Sequence, residues 1–339
     1  DEIQKAKSPR SLVCQAVKTV HADFKIALTG TPVENSLADL HTIMDVISPG
    51  FLGDLRSFMK KYSSDDEDEL KDLARILMKP QGDSAPPVLR RMKDDIGEEL
   101  PDKTINSQEE EMPETQQEAY NDALNRNETG SDKMLKTLQE FRTISLHPYL
   151  PQQAEEMSFQ VYIEHSAKLI MAFQILDKIV PKKEKVLIFV ESRALQPVLA
   201  EMIKQKYNLN STPLIINGAI SGEARQNAVD KFQEGTGFFD VIVLSPRAAG
   251  VGITLTTANH VIHLQRWWNP AVEDQCTDRV YRIGQTKPVS VYLPLAVHPR
   301  LGDRTYDKVL HQLLDHKRHI SRGIFMPMHI DAGAFGASL

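Results

Sequence analysis

Apolar residues along this chain gather in short runs separated by stretches with a helical period. KVLIFV (185–190), TPLIIN (212–217), DVIVLS (240–245), HVIHL (260–264) and VSVYLPLA (289–296) read as strands. Between them, residues 193–206, 221–233 and 270–283 read as helices. FKIALT (24–29) is a further run, predicting a buried strand that ends in a loop at Gly30-Thr31-Pro32. SLADLHTIMDVI (36–47) predicts a helix with Ser36 as N-cap. Residues 114–147 read as helical, interrupted by NETGSD (127–132). Acidic SSDDEDELKD (63–72) predicts a solvated helix or loop, PQGDSAPP (80–87) a turn-rich connector, and 323–339 a weakly ordered tail. Strands alternating with helices predict an α/β fold with a parallel, doubly wound sheet.

Length and composition narrow the class. The 339 residues suffice for about two domains and a sizeable core. No apolar run reaches the roughly 20 residues of a membrane span, so no membrane partner is expected. The first ten residues, DEIQKAKSPR, have no signal-peptide character. Only Cys14 and Cys276 occur, which points to a reducing, cytoplasmic setting rather than a disulfide scaffold. The net charge of −6 counts against a dedicated nucleic-acid binder but leaves room for a local basic groove.

Candidate chemistry concentrates in QRWWNPAVEDQCTDRVYRIGQ (265–285). Arg279 and Arg282 lie three apart behind Gln275 in a segment expected to be helical, which puts both guanidiniums on one face. Two permanently charged forks aimed at one point suit a transferring phosphoryl group; salt bridges to Asp274 or Asp278 are the plainer alternative. The loop 245–252 (SPRAAGVG) follows a strand, and its small residues either admit a phosphate or make a tight turn. Trp267-Trp268 either stack on bases or pack in the core. Arg90, Arg91 and Lys93 form a basic turn, solvated or facing a polyanion. His311, His316 and His319 lack an accompanying cysteine and read as a basic helix surface rather than a metal site.

Seven segments in order carry a resemblance to a known family: DEIQKAKSP (1–9), LTGTPVEN (28–35), VLRRMKDDIGEELP (88–101), EFRTISLHP (140–148), KVLIFVES (185–192), SPRAAGVGITLTTANHVI (245–262) and DQCTDRVYRIGQ (274–285). Over about residues 1–295 the chain resembles the C-terminal part of a Swi/Snf-type ATPase motor, a superfamily-two helicase-like DNA translocase. The resemblance implies a RecA-like fold with a complete second lobe, a partial first lobe and helical insertions. Its expected divisions are a first-lobe remnant (1–100), a helical insertion or brace (101–160), the second lobe (161–298), and a C-terminal helical extension and tail (299–339).

The resemblance also assigns roles. It implies ATP and Mg2+ as cofactors and double-stranded DNA as partner. Asp1 would hold the magnesium ion through water, and Glu2 would deprotonate the attacking water. Arg279 and Arg282 would stabilise charge on the γ-phosphate, with Gln275 positioning them. Gly30, Gly250 and Gly252 would lie beside the nucleotide. Thr29, Thr31, Ser245, Thr256, Arg90 and Arg91 would face DNA phosphates. Lobe closure on nucleotide would drive translocation along a duplex. A motor half kept as a non-catalytic DNA-binding or protein-docking module is the alternative.

Three departures from the family pattern matter. Ala249-Gly250 stands where a Gly-Gly pair is usual, and Cys276 where alanine is common. No GxGKT-type phosphate loop occurs. Residues 1–339 alone are therefore expected not to hydrolyse ATP and to be part of a longer motor. Compact motif spacing reads as bacterial, and bacterial relatives work among the proteins of antiviral defence, restriction or transcription-recycling systems.

Overall fold

The computed structural model describes residues 1–30, 36–62, 67–80, 82, 84–91, 100–126, 131–249 and 252–321. They form two compact units. The first comprises the described residues up to 91 with 269–271 and 313–321; the second comprises those from 100 to 268 and from 272 to 312.

The first unit holds α1 (Leu12–Lys18), α2 (Leu37–Ile47), α3 (Leu55–Tyr62) and α4 (Glu67–Met78). The helix expected at 36–47 is α2. Its Leu37, Leu40 and Met44 share one face and bury it against Phe58 and Tyr62 of α3 and Leu70, Leu73 and Leu77 of α4. The buried strand expected over 24–29 does not form. Phe24, Ile26 and Leu28 are 79%, 75% and 57% exposed, and one backbone bond, from Ile3 N to Leu28 O at 3.1 Å, ties the segment down. An apolar run becomes a strand only within a ladder, and no strand lies beside this one among the described residues.

The second unit is built on six parallel strands: β1 (Lys103–Glu111), β2 (Lys185–Phe189), β3 (Leu214–Ile216), β4 (Asp240–Leu244), β5 (Ala258–His263) and β6 (Val289–Val297). Their spatial order is β1-β6-β5-β2-β4-β3. Its helices are α5 (Glu114–Asn125), α6 (Ser131–Leu146), α7 (Gln153–Glu156), α8 (Phe159–Glu164), α9 (Ala167–Ile179), α10 (Leu195–Tyr207), α11 (Gly222–Gln233) and α12 (Pro246–Ala249); α13 (Pro270–Thr277) and α14 (Tyr306–Ser321) each divide between the two units.

Alternate residues of each central strand serve opposite cores. Val186 and Ile188 of β2, with Val241 and Val243 of β4, pack on Leu169, Phe173 and Leu176 of α9 and Leu199 and Ile203 of α10. Leu187 and Phe189, with Ile242 and Leu244, pack on Val229 and Phe232 of α11 and Cys276 of α13. Helices therefore cover both faces, which is why the strands read as solid apolar runs and why the sheet is doubly wound. Strands β3 and β4 flank β2 on one side, β5 and β6 on the other. The chain changes sides at β2, so the loops after β2, β4 and β5 meet at the switch point where such sheets bind ligands.

The sequence pattern missed β1. The segment expected to be helical over 101–160 opens with this strand, paired with β6 over nine positions from Lys103↔Val289 to Glu111↔Val297. KTINSQEEE is polar because the strand is an edge, exposed or half-buried along its whole length.

His147 lies just after α6 and packs on α8. Its ring stacks on Tyr162 at 3.7 Å between centroids. Tyr149 N–H donates to Nδ1 at 3.0 Å, so Nε2–H donates to the Tyr162 carbonyl at 2.8 Å. Burial holds the imidazole well below its ordinary range, at about 4. A lowered histidine pKa adds stability that is complete above about pH 6.5 and is lost as pH falls towards 4. Acidification from pH 7 to 5 should cost about 2 kcal/mol through this group alone. Thermal melts should show a shallower acid dependence in His147→Gln than in the parent; equal slopes would remove His147 from the account.

Candidate functional site

The first unit carries the carboxylates. Asp1 is exposed, and its Oδ1 accepts the Glu2 N–H at 2.9 Å. Glu2 sits in the left-handed region at φ 58°, rare for a side chain other than glycine. Such backbone outliers gather at functional sites. The carboxylate is held in turn by the Gln4 side-chain amide. Cys14 and Ala6 pack beneath this turn with Val46. Thr29 is half-buried and Gly30 exposed, with open space around the position a Cβ would take. Arg90 is half-buried, and its burial lowers the guanidinium pKa; Arg91 is exposed. Thr31 and Lys93 lie outside the described residues.

The second unit carries the arginines, and here the sequence expectation needs correction. The helix expected to run over 270–283 ends at Thr277 as α13. Residues 278–282 continue as turns, with Arg279 N bonded to Cys276 O, Val280 N to Thr277 O and Arg282 N to Val280 O. Arg279 and Arg282 do not share a helix face. Arg279 is buried, with Nη1 3.5 Å from the Ile253 carbonyl, whereas Arg282 is exposed, with Nη1 donating to Thr254 Oγ1 at 3.0 Å. Gln285 holds the segment beyond the helix. Its Nε2 reaches the carbonyls of Ala258, Thr256 and Val280 at 2.7, 3.1 and 3.3 Å, and Gly284 turns the chain at φ 98°. The side chain takes hydrogen bonds that a longer helix would have to forgo.

The arginine segment is thereby laced to the loop after β4. Leu255 N donates to Arg279 O at 2.9 Å. Ser245 is buried at the end of β4, where its N–H extends the ladder to Ile216 O. Gly252 adopts φ 42°, where a side chain would be strained. Thr256 is half-buried, and Gln275 is half-buried on α13. The Cys276 thiol packs with its sulfur 3.6 Å from Pro246 O, and burial raises its pKa well above the ordinary range. It behaves as a small apolar residue. Gly250 lies outside the described residues.

Several side chains at the switch point had no role in the sequence reading. Arg266, fully buried, makes a bidentate pair with Glu273 of α13, Nε to Oε1 at 2.7 Å and Nη2 to Oε2 at 3.0 Å. His311, one of the histidines considered above, approaches Arg266 Nη1 at 2.5 Å. Gln265 Oε1 accepts the N–H groups of Glu191 and Ser192 at 2.9 and 3.2 Å, joining the ends of β5 and β2. Arg142 of α6 pairs with Glu191 and stands 5.4 Å over the Trp267 ring; Arg247 stands 5.6 Å over the same ring. Trp268 meets Tyr306 edge-on at 5.9 Å. Both tryptophans are therefore engaged by the protein itself. The signal available in sequence was an arginine shortly after a strand, followed seven residues later by a glutamate on a helix.

Hard carboxylate oxygens at Asp1 and Glu2 suit a magnesium ion bound through water. Asp1 commits one oxygen to a backbone N–H and presents the group to solvent, which fits that role. Among the described residues, no group of three or more His, Cys, Asp or Glu side chains could hold a metal. None of their helices is long and apolar enough to cross a membrane.

Residues 1–150 match the SNF2-related domain and 167–284 the helicase conserved C-terminal domain. The chain is 38% identical over 350 residues to Zorya protein ZorD of Escherichia coli O139:H28, covering 95% of this chain and 31% of that protein. It is 32% identical over 297 residues to an uncharacterized ATP-dependent helicase of Mycoplasma pneumoniae, covering 87% of this chain and 28% of that one. It thus spans less than a third of either relative. Among solved structures, the Sulfolobus solfataricus SWI2/SNF2 ATPase core in complex with dsDNA superposes with a TM-score of 0.51 at 31% identity, covering 94% of this chain and 66% of that chain.

Proposed function

The chain belongs to the SNF2 family of ATP-dependent helicases, and on that premise we propose that the protein containing it couples ATP hydrolysis to translocation along double-stranded DNA. The observation that carries this reading is the lacing of Arg279 and Arg282 to the loop 252–256, which leads from α12 into β5. A charge that must respond to a polyanion bound elsewhere needs such a rigid connection.

Bound Mg2+ would supply electrophilic assistance at the phosphates, with Asp1 as its protein ligand through water. Glu2 accepts the proton of the attacking water. Arg279 and Arg282 stabilise charge developing on the γ-phosphate, and Gln275 orients them. Gly30, Gly250 and Gly252 let backbone approach the nucleotide. Thr29, Thr31, Ser245, Thr256, Arg90 and Arg91 contact DNA phosphates, which position without reading sequence.

The test is ATP turnover by the full-length protein with and without duplex DNA. Turnover should rise on adding DNA of any sequence, and DNA affinity should fall linearly on a log–log plot against salt, with a slope of about −0.9 per phosphate contacted. DNA binding without turnover would favour the non-catalytic module instead. A flat salt response would remove the phosphate contacts.

A further inference from the structure

Gln285 is 5% exposed and uses both ends of its amide. Nε2 donates towards the carbonyls of Thr256, Ala258 and Val280, while Oε1 accepts the N–H groups of Thr286 and Lys287, each at 3.0 Å. The orientation is fixed, because a flipped amide would turn its oxygen towards three carbonyls and its donors towards two N–H groups. Two of the carbonyls, of Thr256 and Ala258, belong to the stretch that leads from the loop after β4 into β5. The third belongs to the arginine segment itself. The same stretch is pinned from its other side, where Gln233 of α11 accepts Thr257 N–H at 3.1 Å and Thr257 Oγ1–H at 2.7 Å. Leu255 N to Arg279 O and Arg282 to Thr254 complete the lacing.

We propose that Gln285 is a positioning residue that makes the loop 252–258 and the arginine segment 279–285 a single body, so that contacts made by the loop set the placement of Arg279 and Arg282. This rests on the reading above, in which the loop faces DNA and the arginines face ATP. One buried side chain bonded to both segments braces the direct bonds of Leu255 N–H to Arg279 O and of Arg282 to Thr254. Its replacement loosens the hold of the loop on the arginines without removing any group that touches substrate.

The experiment uses the full-length protein with Gln285→Met, an apolar near-isostere, and Gln285→Glu. The second keeps the acceptor for Thr286 and Lys287 but sets an oxygen against the three carbonyls. DNA-stimulated kcat should fall about tenfold or more in both, while KM for ATP, DNA affinity and the basal rate stay within about twofold. In an Arg282→Ala background, Gln285→Met should add little, because it acts through the arginines. Unchanged stimulated kcat would overturn the proposal, as would basal and stimulated rates falling in proportion with Tm, or full additivity with Arg282→Ala. Amide exchange separates the failure of this coupling from the failure of the DNA-motor reading. Leu255 N–H, protected by Arg279 O, should exchange faster in Gln285→Met whether or not DNA stimulates the parent; unchanged exchange would sink the coupling alone.

Discussion

Replacing Arg279 by alanine in the full-length protein should lower DNA-stimulated kcat by about a thousandfold or more while leaving KM for ATP nearly unchanged. The size follows from where the guanidinium sits. Arg279 is 7% exposed, so its charge acts in a less polar medium than water and is weakly screened. A group that stabilises charge appearing only in the transition state changes kcat rather than ground-state binding. Arg282 is exposed and should give a smaller loss on the same substitution. Arg279→Lys separates chemistry from folding. It keeps the charge and most of the buried stem but loses the planar fork. It should fold with a Tm close to the parent and still lose most of the stimulated rate. A lysine variant with full activity would mean that Arg279 supplies only bulk positive charge, and an alanine variant with full activity would remove it from the site.

Much of this fold was legible because the sheet is buried on both faces. Five apolar runs became β2 to β6, since a strand with a core on each side has no polar alternation to confuse it. The errors came where burial and local pattern part company. KTINSQEEE is polar yet forms β1, because an edge strand needs one neighbour and little apolar surface. FKIALT is apolar yet forms no strand, because pattern states a preference for a ladder and cannot supply the partner. The helix over 270–283 was overextended for a different reason. Periodicity does not register that a single buried amide, Gln285, captures carbonyls from two segments, Val280 beyond the helix among them.

The candidate site divides in the same way. Arg279, Arg282 and Gln275 were singled out by their spacing, but the shared helix face inferred from it does not form, and bonds to the loop hold the arginines instead. Arg266 and Glu273 were invisible, because in sequence a buried ion pair looks like any two surface charges. Asp1 and Glu2 were assigned through resemblance, and the left-handed backbone at Glu2 is a feature that no composition or period encodes.

Arg266→Met should destabilise the second unit by about 3–5 kcal/mol, the cost of leaving a buried charge without its partner. For a unit of this size that lowers Tm by on the order of 10 °C. Arg266 lies three residues beyond β5, and Glu273 sits on the helix that leads to the arginines; the pair fixes where that helix begins. Glu273 Oε1 also accepts Trp267 N–H at 3.2 Å, so the carboxylate organises the turn as well as pairing with the guanidinium. Removing Arg266 strands a carboxylate at 2% exposure, and desolvation then favours its protonated form. The deficit should accordingly be larger at pH 8 than at pH 5. The double variant Arg266→Met with Glu273→Gln should recover most of the lost stability, because neutralising both partners removes the uncompensated charge. It should not recover turnover, since a fork bonded to two oxygens locates α13 better than an apolar contact does. Melting curves of the two variants at both pH values decide the matter: a single variant as stable as the parent, or a double variant no better than the single, would show that the pair does not anchor the arginine-bearing segment.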